Sequence, residues 1–153
     1  MKTQPPSRKS SDPNAYHLQP CVAVGAVVFN NDRVLLVRRG QPPSENFWAI
    51  PGGKVKLGET LQAAAEREIL EETGLRIKAG EPVYTFDHLE RDPTGNIRFH
   101  YVIVDLMADY VDGEIRPGDD AAEARWISRQ EIRQLRVSPV TLDFLRRQFN
   151  FGV

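Results

Sequence analysis

Residues 53–75 read GKVKLGETLQAAAEREILEETGL, a run of helix formers that crowds Glu66, Glu68, Glu71 and Glu72 into two turns. Like charges three or four residues apart on a helix repel by about 0.2–0.5 kcal/mol per pair, so something has to compensate. Thr60 is placed to cap the N-terminus, Leu61 to Thr73 supply the helix, and Gly74 suits the left-handed position that ends one. With side chains advancing by about 100° per residue, Glu68 and Glu72 share a face and Glu71 stands three from Glu68, so three carboxylates converge on one point. Leu61, Ala65 and Ile69 form a separate inward stripe. Such a helix is either a solvated acidic face or a site for hard cations. Mg²⁺ takes oxygen ligands, keeps several waters, and binds through a few carboxylates together with substrate phosphates, a demand that three glutamates at this spacing meet. The preceding PGGKVKLGE brings glycines whose backbone can approach a ligand closely, and it delivers Glu59 to the helix entrance. Arg67, four before Glu71, is expected either to tie down a carboxylate and fix its rotamer or to form an ordinary surface ion pair.

The rest of the chain sets limits around this helix. Its 153 residues suit one domain with a real core. Twenty Lys and Arg against 21 Asp and Glu give a net charge of -1, which argues against a nucleic-acid-coating surface. Cys21 is the sole cysteine, begins an apolar run and is expected to be a buried structural thiol. No apolar stretch of membrane-spanning length occurs, and the N-terminal MKTQPPSRKSSDPNAYHLQP has no hydrophobic signal-peptide region, so the cytoplasm is the expected location. Residues 1–19 read as a tail or strap, and 20–153 as a single domain.

CVAVGAVVFN and RVLLVRR are expected to pair as a hairpin, with Asn30, Asn31 and Asp32 supplying the turn. GQPPSEN reads as a loop and FWAI as a short strand halted by PGG. Beyond the helix, EPVYTFDHLE and IRFHYVIVDLMADY read as strands joined by RDPTGN, and ARWIS as another. Ser128 is placed to cap a helical RQEIRQL, and Ser138 or Pro139 to open VTLDFLRRQF, whose apolar side carries Val140, Phe144, Leu145 and Phe149. This order predicts an α/β (α+β) chain with a mixed sheet sandwiched by helices.

The stretch Gly53 to Leu75 resembles the Nudix box: Gly, five residues, Glu, seven residues, Arg, Glu, an apolar residue, any residue, Glu, Glu, any residue, Gly, an apolar residue. Gly53, Glu59, Arg67, Glu68, Ile69, Glu71, Glu72, Gly74 and Leu75 fill every fixed position. FWAIPGG before the box and EARWIS after it also look like Nudix segments. The resemblance implies a Nudix-type α/β/α sandwich around a mixed β-sheet, and Mg²⁺-dependent (or Mn²⁺-dependent) hydrolysis of a nucleoside diphosphate linked to another group. It implies metal ligation by Glu68, Glu71 and Glu72 together with the backbone carbonyl of Gly52. The general base is then Glu68 or, second, Asp120 in the loop RPGDDAAEARW, with Asp119 and Glu123 beside it; Arg67 belongs to the same catalytic set.

Outside the box, Arg38 and Arg39 end a strand within reach of substrate phosphates, Arg39 being the better placed, although strand-end charges are as often only solvated. Phe47 and Trp48 are either core aromatics or a stacking platform for a base. His88 and His100 have no metal-ligand partner at a telling spacing and read as incidental. The loop and box look most like small ADP-ribose pyrophosphatases, but Arg91 stands where many of those enzymes carry a proline about sixteen residues beyond the box, and the nearest proline is Pro93. Hydrolysis of oxidised or noncanonical nucleoside triphosphates is the enzymatic alternative, and a non-catalytic nucleotide sensor the other. The expected partners are a small-molecule nucleotide and a second copy in a homodimer, with neither nucleic acid nor membrane.

Overall fold

The computed structural model describes residues 16–116, 118 and 121–152. The chain begins with β1 (Cys21–Asn30) and β2 (Arg33–Arg39), joined by the expected turn. Asn31 and Asp32 have φ of 50° and 61°, the two left-handed residues that match a hairpin's twist. β1 is the hub of the fold. Only its last two residues pair with β2, through Phe29 with Val34 and Asn30 with Arg33; the rest lies parallel to β6 (Ile97–Asp112), from Cys21 beside Tyr101 to Val28 beside Ala108. β6 pairs antiparallel with β5 (Arg76–Arg91), and β2 carries β3 (Trp48–Ala49) and β7 (Ala121–Ile127). The sheet is therefore mixed.

PGG does not halt the sheet. Gly52–Lys54 form β4, which pairs antiparallel with Ala23, Val24 and Gly25. A breaker-rich sequence makes a strand here because two backbones meet too closely for side chains: a Cβ on Gly52 would collide with the carbonyl oxygen of Val24. β5 also begins earlier than expected, directly after the helix, and bulges between Ala79 and Tyr84.

Helix α1 (Leu61–Thr73) runs as its sequence predicts. Thr60 Oγ1 accepts from the Ala63 N–H at 3.0 Å, and Gly74, at φ 77°, closes the helix. Ala64, Ala65 and Ile69 pack on Val24, Ala26 and Val28, while Val27, on the other face of β1, packs with Phe144 and Leu145 of α2 (Pro139–Phe149). Burying Ile69 fully contributes about 1.5–3 kcal/mol, enough to outweigh the repulsion along the acidic face. In α2 the buried side is Thr141, Phe144 and Leu145, with Pro139 in the first turn and no side-chain cap from Ser138. The segment after Ser128 makes only a 3-10 turn, Glu131–Gln134, with Ser128 Oγ accepting from the Glu131 N–H at 3.1 Å. A mixed sheet with α1 on one face and α2 on the other gives the α+β sandwich expected from the sequence.

Cys21 is half-buried rather than buried, because it starts the strand at the sheet's margin; its Sγ lies 3.7 Å from the Gln19 carbonyl. Of the N-terminal segment, residues 16–20 are described. Tyr16 donates to Asp92 at 2.8 Å, and His17 sets its ring edge-on to Phe99 and Tyr101. No helix among the described residues is long and apolar enough to cross a membrane.

Among the buried polar residues that are described, Thr73, Asp105, Ser138 and Thr141, one is ionisable. Asp105 of β6 is 4% exposed, and burial pushes its carboxyl up to about 7 from the ordinary 3.8. The folded state then holds a proton that the unfolded chain releases, so the stability penalty builds as pH rises from about 3.8 to about 7 and is constant above. The melting-temperature gain of Asp105→Asn over the parent should therefore grow between pH 4 and pH 7 and level off beyond; a difference independent of pH would contradict the assignment.

Candidate active site

The four crowded glutamates of α1 have different partners. Glu66 turns away from the other three and accepts from the Ala79 N–H at 3.1 Å, where β5 bulges. Glu72 Oε2 accepts from the Gly52 N–H at 3.3 Å. Glu68 and Glu71 turn to Arg67, whose Nη1 donates to them at 2.8 and 3.3 Å. The expected pair at four residues thus forms, but it is not the main partnership of Arg67. That is with Glu59, which accepts from Nε and Nη2 at 2.7 and 2.8 Å, while Nη2 also donates to the Lys54 carbonyl at 3.0 Å. A two-pronged guanidinium–carboxylate contact fixes geometry as well as charge. It pins the loop 54–59 to the middle of α1.

The electrostatics follow from this contact. Arg67 and the Lys56 N–H hold the Glu59 carboxyl down at about 2, and Glu59 in turn raises the already high pKa of Arg67. The Glu68 carboxylate lies over Gly53, where any Cβ would displace it. Gly53 is therefore the cradle for Glu68, as Gly52 is the donor to Glu72.

The donor set fits a hard divalent cation. Its side-chain atoms are carboxylate oxygens, and Glu59, Glu68 and Glu71 set three negative charges against the single charge of Arg67, an excess of two. Among the described residues no three acidic, histidine or cysteine side chains stand gathered as ligands of one ion. The carboxylates gather around the guanidinium instead.

The remaining candidates scatter. Arg39 Nε donates to the Pro43 carbonyl at 2.6 Å, which anchors the loop after β2, and Arg38 faces Glu123 at 3.6 Å. Trp48 is 5% exposed and packs in the core with Arg125 over its ring at 5.7 Å, so it has no open face for a base. Arg136 lies 4.1 Å from the ring centre of Phe47. Asp119 and Asp120 fall outside the described residues. The N–H groups of Arg116 and Gly118 donate to the carbonyls of Thr73 and Glu72 at 2.6 and 2.7 Å. His100 approaches Asp87 at 3.9 Å, and its main-chain N–H donates to His17 Nδ1 at 3.0 Å. His88 Nε2 is buried without a hydrogen bond, 3.8 Å from a Glu90 carboxylate oxygen, and burial lowers its pKa.

Comparison with known proteins bears on this geometry. Residues 19–148 match the NUDIX domain. An ADP-ribose pyrophosphatase of Methanocaldococcus jannaschii is 35% identical over 119 residues, 78% of this chain and 68% of that protein. A MutT NUDIX hydrolase from Burkholderia pseudomallei superposes with a TM-score of 0.71 at 28% identity, covering 85% of this chain and 98% of the other. A bifunctional NMN adenylyltransferase/ADP ribose pyrophosphatase from Francisella tularensis, complexed with AMP and a manganese ion, gives 0.64 at 27% identity over 83% of this chain and 40% of its own. Fold, acidic helix and relatives together define a pyrophosphohydrolase. The chain belongs to the NUDIX domain family.

The Glu59–Arg67 contact has a measurable signature. With the Glu59 pKa depressed from 4.5 to about 2, the stability it contributes is complete above pH 4.5 and is lost as pH falls through that window. Glu59→Gln should therefore lower the melting temperature at pH 7 and flatten its fall between pH 4.5 and pH 2. Parallel acid limbs in parent and variant would contradict the clamp.

Proposed function

We propose that the chain hydrolyses, with Mg²⁺ or Mn²⁺, the pyrophosphate bond of a nucleoside diphosphate linked to a second group, and that this substrate is ADP-ribose or a related nucleotide sugar. The observation that carries the reading is the convergence of Glu59, Glu68 and Glu71 on Arg67 beside the glycine pair of β4. The Methanocaldococcus relative supports ADP-ribose.

In this reading Glu68, Glu71, Glu72 and the Gly52 carbonyl hold the ion. When bound, a divalent ion supplies charge neutralisation for the pyrophosphate and lowers the pKa of a water. The protein contributes placement and proton transfer. Glu68, which Arg67 holds over Gly53 in the ion-free chain, accepts the proton of the attacking water as general base. Arg67 orients the cluster through Glu59, and Arg39 faces substrate phosphates from the end of β2. Asp120 is the second choice of base. Arg91, at the position where many ADP-ribose enzymes of the family carry proline, favours one alternative, hydrolysis of a noncanonical nucleoside triphosphate.

Release of nucleoside monophosphate from ADP-ribose, other nucleotide sugars and nucleoside triphosphates, followed chromatographically with chelator and with Mg²⁺, tests the reading. Turnover should be greatest on ADP-ribose or a nucleotide sugar and vanish with chelator. Glu68→Gln should lower kcat by about 10²-fold or more at every Mg²⁺ concentration. Glu72→Gln should regain part of its rate as Mg²⁺ rises. Turnover undiminished by chelator would overturn the metal role, and nucleotide binding without turnover would favour a sensor.

A further inference from the structure

Two buried polar groups that the box does not use stand on one face of the sheet. In β5 and β6 the register runs without interruption from Tyr84 beside Asp105 to His88 beside Tyr101, with Phe86 beside Ile103 between them. Alternate residues of a strand share a face, so His88 and Asp105 lie on the same side, about 13 Å apart along the strands. It is the α2 side, opposite α1, because Tyr84 stacks on Phe144 at 4.7 Å. His88 Nε2 is buried without a hydrogen bond. Asp105 is more than nine-tenths buried and has no hydrogen bond or ion pair among the described residues. Its carboxyl occupies a notch made by the missing side chain of Gly25, where a Cβ would meet Oδ1; Ile50 is the other neighbour. The notch adjoins the site already described, since Gly25 pairs with Gly52, the donor to Glu72.

A buried polar group left without a partner is costly, and a carboxyl serving only the fold would be expected to have acquired one. A partner supplied by the substrate accounts for a buried carboxyl that no described protein group bonds. We propose that Asp105 is a specificity-determining residue that hydrogen-bonds the base of the nucleotide, beside the rings of Tyr84 and Phe86. The inference rests on the chain being a hydrolase of nucleoside diphosphate derivatives, and it adds what holds the nucleoside. The chemistry of the notch selects the ligand. A phosphate offers only acceptor oxygens, which would leave the carbonyl of a protonated carboxyl unpaired. A protonated carboxyl presents one O–H donor and one carbonyl acceptor side by side, which matches the adjacent donor and acceptor on the edge of a nucleobase. Burial pushes this carboxyl toward that neutral form. The half-buried Phe86, two residues along β5 and 5.3 Å from Tyr84 between ring centres, supplies an aromatic surface of the kind on which a flat base stacks.

The test is equilibrium binding of AMP and of ribose phosphate, which lacks the base, to the full chain. Asp105→Leu should weaken AMP at least about tenfold while changing ribose phosphate less than about twofold. Asp105→Asn, which keeps one donor and one acceptor, should bind AMP within about threefold of the parent. In the unmodified protein the carbon NMR resonance of the Asp105 carboxyl should move with AMP and not with ribose phosphate, so a leucine variant that fails to fold does not decide the matter. Equal AMP affinity in all three proteins, an equal loss for ribose phosphate, or a resonance indifferent to AMP would overturn the proposal. Hydrolysis of ADP-ribose is scored separately: AMP recognised through Asp105 without turnover of any nucleoside diphosphate derivative would sink the proposed activity and leave this inference standing.

Discussion

The guanidinium of Arg67 resolves the charge conflict written into α1. It meets Glu59, Glu68, Glu71 and the Lys54 carbonyl, and so ties the helix to the loop that leads into it. The Arg67 and Glu59 side chains are each about one-fifth exposed, and their two-pronged contact fixes both in one geometry. The same contact leaves more negative than positive charge in the cluster. An acidic helix can be stable here because its apolar side is pinned by Ala64, Ala65 and Ile69 while one arginine holds the other side short of full neutrality.

Around that contact, the sheet is organised by the absence of side chains. Gly52 and Gly53 let β4 lie against β1 and under the Glu68 carboxylate, and Gly25 makes the notch that Asp105 fills. Gly52, Gly25 and Asp105 form one transverse row of the sheet, which runs from the donor to Glu72 to a carboxyl on the α2 side. The box and the nucleoside notch are thus neighbouring parts of one construction, with two strand spacings, about 10 Å, between them.

What the sequence disclosed was whatever depends on local spacing. Thr60 and Gly74 bound α1 because caps are read within a few residues, and Asn31–Asp32 mark their turn for the same reason. The box residues are legible because one helix gathers them. The Glu59–Arg67 partnership was hidden, since it needs the loop 54–59 to fold back, and the spacing of Arg67 to Glu71 offered a simpler pair. β4 was hidden because PGG reads as a breaker until a second backbone is brought against it. Asp105 and His88 were illegible for a further reason: an aspartate within an apolar run and a lone histidine acquire meaning only from the register of β5, β6 and β1, which no local pattern sets. Trp48 shows the reverse case, an aromatic beside the box that the core claims through β3 and its neighbours.

In the proposed reading, the α1 carboxylates exchange Arg67 for a divalent ion while Arg67 keeps Glu59. Anomalous diffraction from crystals soaked in Mn²⁺ tests it most directly. A manganese peak is expected, bounded by the Glu68, Glu71 and Glu72 carboxylates, with the two-pronged contact between Arg67 and Glu59 intact. A manganese ion bound elsewhere, with Glu68 and Glu71 still turned to Arg67, would contradict it.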